Sequence, residues 1–248
     1  MIILSILFFI TAILYSSVGF GGGSTYLALL LIWDIPYFIF PIIALLCNII
    51  VVSGNSFNYI RAGNHNFKLI LPFLIGSVPL AFFGGTLKIE KDIFEILLFF
   101  VLSIAGILLL INNKSYENNN FIIKKLNFLN SLVIGSVLGL ISGIVGIGGG
   151  IFLSPILFLI KAEKPKIIVT TASIFILVNS ISGVFGQLTK ENITTEITNY
   201  IPLFICVFLG GLLGNYLNLK IFTSRVLAII TALLVMFVSI RMGIRIFL

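Results

Sequence analysis

The sequence predicts an all-α, polytopic helical membrane protein of about eight hydrophobic segments, arranged as two four-segment repeats whose first segments are each broken at a glycine-rich loop. Three observations carry this. Of the 248 residues, 59% are hydrophobic and only 9% charged, against about 25% charged in an ordinary soluble domain, and the mean hydropathy is +1.23. The charges fall in short clusters separated by nearly charge-free runs long enough for spans of about 20 apolar residues. A pattern of features also recurs in the same order in each half.

The segments cover residues 2–32, 36–60, 69–87, 93–111, 128–160, 166–188, 200–218 and 226–247. The first begins "MIILSILFFITAILYSS", which lacks the basic start and small-residue cleavage pattern of a signal peptide and reads as a retained membrane segment. Runs such as "ILLFFVLSIAGILLLI" in the fourth do not alternate, so a transmembrane barrel is excluded. The polar stretch "NNKSYENNNFIIKKLN" separates the two sets of four, giving a first half at 1–112, a connector at 113–127 and a second half at 128–248. Gly19-Phe20-Gly21-Gly22-Gly23 in the first segment matches Gly146-Ile147-Gly148-Gly149-Gly150 in the fifth. Pro72 to Gly84 in the third matches Pro202 to Gly214 in the seventh at equal spacing. Internal duplication is a common building plan of secondary transporters.

Segments 1 and 5 are too long for one crossing: 31 residues of continuous helix reach roughly 46 Å, beyond a hydrocarbon core of about 30 Å. Broken in the middle, each is expected to re-enter, leaving three crossings per half and inverting one half relative to the other. Loop charge agrees. With segments 1 and 5 re-entrant, ten of the fifteen Lys and Arg collect on one side, in 61–68, 112–127, 161–166 and 219–225, whereas eight full crossings divide them eight to seven. The positive-inside rule then puts both termini outside. The net charge of +7 therefore marks membrane edges rather than a nucleic-acid partner; the partners expected are a small anion and the lipid bilayer, with a homo-oligomer left open.

Unpaired backbone groups in hydrocarbon are costly, so a break at membrane depth must be satisfied by protein or a watery cavity. Glycine permits the turn and leaves amides accessible. New helices are expected near Ser24 and Ile151, and their N-termini, with free amides and about half a positive charge, would bind an anion where they meet. Asp, Glu, His and Lys are absent from the middle of the spans, which argues against a carboxylate proton relay. Gly135, Gly139 and Gly143, and Gly210 and Gly214, have the small-xxx-small spacing of close helix packing. Runs of three glycines cover every face and mark functional breaks instead.

The candidate substrate-binding residues are thus Gly21, Gly22, Gly23, Ser24 and Thr25 in the first half, Gly148, Gly149 and Gly150 in the second, and the amide and hydroxyl side chains of the second segments. Asn48 and Asn55 share a helical face, with Ser53 and Asn58 near it; Asn179, Ser182 and Gly186 share another, with Gln187 beside it. These faces should point into the bundle, serving interhelical bonding or substrate contact. Ser24 and Thr25 are expected to cap the new helix, and His65 to be a solvated loop residue. Cys47 and Cys206 lie in separate apolar segments without C-x-x-C spacing and read as inert thiols. No catalytic residue, metal or cofactor is expected, since the spans offer no His, Asp or Glu for a metal set or a base.

At these residues the chain resembles the TauE/SafE family. The resemblance rests on "GFGGG", on "GLISGIVGIGGGIFLSPIL" opening the second half, and on Ala172-Ser173 followed by "SISGVFG". It spans essentially the whole chain. The first half departs from the fuller motif, with Ser24-Thr25 where the second has Ile151-Phe152 and no counterpart of Pro155. The resemblance implies a multi-pass inner-membrane transporter that moves sulfite, sulfonates or related organic anions. A passive anion channel and, more remotely, a membrane-embedded thiol relay through Cys47 and Cys206 are the competing readings.

Overall fold

A computed structural model describes residues 1–33, 35–111, 126–190 and 196–217 and, of the C-terminal segment, 232, 233, 236, 237, 239, 240, 243 and 244. The described residues form helices and turns: α1 (Ile2–Val18), α2 (Gly23–Ile32), α3 (Phe40–Arg61), α4 (Phe67–Thr86), α5 (Lys91–Ile111), α6 (Phe128–Val145), α7 (Gly150–Leu159), α8 (Pro165–Gln187) and α9 (Ile201–Leu217), with single 3₁₀ turns leading into α3 and α9. Most of the eighth segment and of the central connector lie outside the described residues.

Local chemistry sets the boundaries. Asn66 caps α4 by accepting from the Leu69 amide at 3.2 Å, and Asn127 caps α6 through the Leu129 amide. Pro41 and Pro165 sit in the first turns of α3 and α8, where a missing N–H costs nothing. Both broken segments stop at a left-handed glycine, Gly19 (φ 85°) and Gly146 (φ 90°), and restart after another, Gly22 (φ 83°) and Gly149 (φ 75°). The expected break is therefore present in each, and the new helices begin at Gly23 and Gly150.

Among the described residues five helices, counting the 3₁₀ lead-ins, are long and apolar enough to cross a bilayer: Tyr37–Arg61, Phe67–Thr86, Phe128–Val145, Lys166–Gln187 and Thr198–Leu217; α1, α2 and α7 are shorter apolar helices. The polarity is arranged for lipid. Phe57, Leu71, Phe83, Val133, Phe185 and Leu212 face outward, while Asn48, Asn55, Asn179, Ser180 and Gln187 are buried.

Small residues set the packing, as the four-residue glycine spacing anticipates. On α6, Gly135, Gly139 and Gly143 leave room for the Phe73, Ser77 and Ala81 carbonyls of α4, and Gly76 and Gly84 of α4 do the same for the Leu132 and Leu140 carbonyls. The register rises together on both helices, so α4 and α6 run parallel. Gly210 and Gly214 of α9 accept the Phe9 and Ile13 carbonyls in the same parallel sense. At the centre α3 and α8 are antiparallel, with Ser56 hydrogen-bonded to Ser173 at 3.0 Å and Leu45 against Gly183. α2 folds back along α1: Thr25 bonds the Tyr15 hydroxyl at 2.6 Å, and the Tyr26 ring lies 4.7 Å from that of Phe8.

Candidate functional site

The two breaks meet beside the middle of α3. Gly23, the first residue of α2, lies against the Ile147 carbonyl of the other break; a Cβ there would stand 2.7 Å from that oxygen. Asn48 lies between them. Its Nδ2 donates to the Ile147 carbonyl at 3.1 Å and, more weakly, to that of Gly146 at 3.5 Å, and its Oδ1 faces Gly21 so closely that no side chain fits at that position. From α8, the Ile176 side chain packs against Gly21, Gly148 and Gly150, and the Ser180 hydroxyl lies beside Gly148. Close approach of the other break's backbone, the Asn48 amide and the Ile176 side chain explains why Gly21, Gly23, Gly148 and Gly150 lack side chains. Gly22, Gly148 and Gly149 supply the positive φ that redirects the chain.

The junction leaves many polar groups open. Among the described residues, no acceptor is met by the amides of Gly21 to Ser24 or of Ile147 to Ile151; the first bonded amides are Thr25 and Tyr26 on the Gly22 carbonyl and Phe152 and Leu153 on that of Gly149. Ser24 Oγ, Asn48 Oδ1, Asn179 Oδ1 and Ser180 Oγ are buried without a hydrogen-bond partner. Free amides at a helix N-terminus are the kind of group that binds anions in general.

The other expected residues are placed differently. Ser24 and Thr25 do not cap α2: Gly22 holds the cap position, no side chain bonds the cap, and Thr25 is tied to Tyr15. A residue already inside the first turn cannot play the part of one preceding it. Asn55 is buried one level along α3, accepting from Ser16, whose hydroxyl also bonds the Gly211 carbonyl. Ser53 and Asn58 do not point into the bundle; Ser53 is exposed and bonds its own helix, and the exposed Asn58 bonds Asn215 at 3.0 Å. At 100° per residue Ser53 lies on nearly the opposite face from Asn48. Asn179 donates to the Phe175 carbonyl one turn back, and Ser182 to the Val78 carbonyl of α4, so Ser182 ties helices together. Ser180 and Ile176, which the sequence did not single out, lie on the face of α8 that meets the breaks.

Replacing Asn48 by Leu strands the Ile147 and Gly146 carbonyls and is expected to destabilise the fold by about 1–3 kcal/mol, read as a lowered Tm in detergent.

Away from the junction, Gln187 donates to the Gly143 carbonyl at 2.8 Å and receives the Lys190 ammonium on its Oε1 at 2.9 Å. Burial, with Lys88 adding repulsion, lowers the Lys190 pKa to about 8 from 10.5. The folded state then holds fewer protons than the unfolded chain between those values, so this group adds stability as pH rises across that window. Lys190 should also acylate ahead of the other lysines at pH 8 in a timed mass-spectrometric labelling experiment; equal rates would contradict the lowered value.

Cys47 is buried and Cys206 half-buried, and both are free thiols. Among the described residues no three His, Cys, Asp or Glu side chains are grouped to hold a metal ion.

The profile of the family described as "Sulfite exporter TauE/SafE" matches residues 4–242. The chain belongs to the TauE/SafE family. Similar relatives carry transporter names. A "Probable membrane transporter protein y4hK" of Sinorhizobium fredii is 25% identical over 94% of both chains. "Probable membrane transporter protein YunE" of Bacillus subtilis is 23% identical over 95% of this chain and 94% of its own. A third, "Probable membrane transporter protein MJ0441" of Methanocaldococcus jannaschii, is 29% identical over 76% of this chain and 73% of its own. No solved structure matches the chain. This TauE/SafE protein is thus a multi-pass membrane protein of a transporter family, with its two glycine breaks meeting at the centre of the bundle.

Proposed function

We propose that the protein is a secondary transporter of small anions that works by alternating access, with the anion held where α2 and α7 begin. One observation carries this reading: two glycine breaks, whose amides meet no acceptor among the described residues, lie against each other beside the buried Asn48. Such groups are costly without a partner, and an anion satisfies several at once without any charged side chain. The substrate class proposed is sulfite, sulfonates or other organosulfur and organic anions, after the family's description.

Alternating access is supported by the pairing of the helices. The first broken segment lies along α9, the third helix of the other half, and α6 lies along α4 in the same way, while the second helices cross antiparallel at the centre. This exchange is what two inverted copies, 1–112 and 128–248, would produce about an axis in the membrane plane. Folding of α2 back along α1 supports a re-entrant hairpin. Loops 62–66 and 161–164 lie together, joined by Asn66 to Glu163 at 3.0 Å, which agrees with their joint assignment to the positively charged side.

The test is flux of labelled sulfite and a panel of sulfonates, thiosulfate and carboxylates in proteoliposomes, with counterflow. Saturable counterflow of one of them is expected. Unsaturable flux without counterflow would replace the transporter by a pore, and no flux of any anion would remove the anion reading.

A further inference from the structure

The proposed anion site contains one feature that an anion alone does not complement. Asn48 is wholly buried, and its orientation is decided by its partners: the Ile147 and Gly146 carbonyls can only accept, so Nδ2 must face them. The carboxamide oxygen is thereby turned away from those carbonyls, toward Gly21 in the first break, where it has no partner. Oδ1 can accept a hydrogen bond and can never donate one. The nearby hydroxyls differ in kind. Ser24 Oγ and Ser180 Oγ, also buried and unpartnered, can rotate to suit either polarity.

The junction therefore offers donors on its backbone amides and, in Asn48 Oδ1, a buried side-chain acceptor without a partner beside the first break. An anion surrounded by oxygens without a hydrogen would put negative density against Asn48 Oδ1, while an anion with an O–H or N–H of its own satisfies amides and carboxamide together. Leaving a buried acceptor unpaired is the costly alternative, and sites built this way discriminate against analogues that lack the donor. We infer that the site selects small oxyanions that carry their own hydrogen-bond donor, with Asn48 Oδ1 as the acceptor that reads it. This inference rests on the anion reading proposed above and adds the substrate chemistry that reading leaves open. The donor can sit on the acid group itself or on a substituent close to it.

Binding of two matched pairs to the purified, nanodisc-embedded protein, measured by calorimetry, tests it. Hydrogencarbonate and nitrate are planar monoanions of which only the first has an O–H. 2-Hydroxyethanesulfonate and 1-propanesulfonate differ by a hydroxyl in place of a methyl. The donor-bearing member of at least one pair should bind about tenfold tighter, the gain of one buried hydrogen bond; the pair that shows it reveals whether the donor sits on the acid group or on the substituent. In Asn48→Leu, which also removes the donor to the Ile147 carbonyl, the affinity ratio within that pair should fall to about one, whatever the absolute affinities of its two members. The wild-type comparison stands even if this variant fails to fold. Equal or weaker binding of the donor-bearing member in both pairs, or a preference that survives Asn48→Leu, overturns the inference and leaves the anion site intact. Absence of binding by all four ions overturns both.

Discussion

Valine at Gly149 is expected to abolish anion flux in proteoliposomes while the protein still reaches the membrane. Gly149 is the residue from which α7 restarts, and its φ of 75° lies in the left-handed region that a β-branched side chain does not tolerate. That conformation alone costs about 1–3 kcal/mol for a non-glycine residue. A Cβ at this position would also stand 2.8 Å from the Phe175 ring. The strain is relieved by redirecting the break, which moves the amides of Ile147 to Ile151 away from Asn48. Gly22→Val, at φ 83° with the Tyr15 and Tyr26 rings at 3.2 Å, should act in the same way on α2.

A control separates backbone strain from loss of the site. Gly63 has φ 72° in the α3–α4 loop, and nothing lies within 4 Å of where its Cβ would be. Gly63→Val therefore carries the conformational cost without touching the junction, and should lower the Tm but keep flux near wild type. Wild-type counterflow in both Gly149→Val and Gly22→Val would refute the placement of the anion at the breaks.

The second large effect is expected from Gly143→Val, on assembly rather than transport chemistry. Gly143 lies where α6 is closest to α4: a Cβ would overlap the Ala81 carbonyl oxygen and stand 2.8 Å from the Gly85 nitrogen. Those atoms are backbone and cannot swing aside, so the helices must part along the Gly135–Gly139–Gly143 face. The Gly143 carbonyl would also shift from Gln187. A loss at or above about 3 kcal/mol is expected, the upper end for overpacking, read as a collapsed Tm and aggregation on detergent extraction. Gly211→Ala provides the contrast. Its nearest neighbour would be Val51 Cα at an ordinary 3.7 Å, and alanine is the better helix former by about 1 kcal/mol, so this variant should melt at or above the wild-type temperature.

Much of this was legible from residue order. Three consecutive glycines inside a 31-residue apolar run cannot serve one packing face, and the helices do stop at Gly19 and Gly146. Gly139 and Gly214, at four-residue spacing, could be assigned to packing without knowing what they pack against. Finer choices failed where a local rule met backbone geometry. Ser24 and Thr25 have the chemistry of capping residues, but a left-handed glycine takes that role one step earlier. Ser53 lies close to Asn48 in sequence and on nearly the opposite side of the helix.

By itself, the sequence determined the solvent, the helices, the position of both breaks and the family, because hydropathy, glycine runs and motif spacing are local properties of the chain. Only the tertiary structure decided that Asn48 ties down carbonyls almost a hundred residues away and turns its own oxygen toward Gly21, that Ile176 and Ser180 complete the junction, and that Ser182 binds helices together. Helical periodicity tells which residues share a face, but the partner of that face is set by the register of α3 against α8 and of each broken helix against the other half. That register is a balance of backbone contacts between distant segments, which no window along the chain contains.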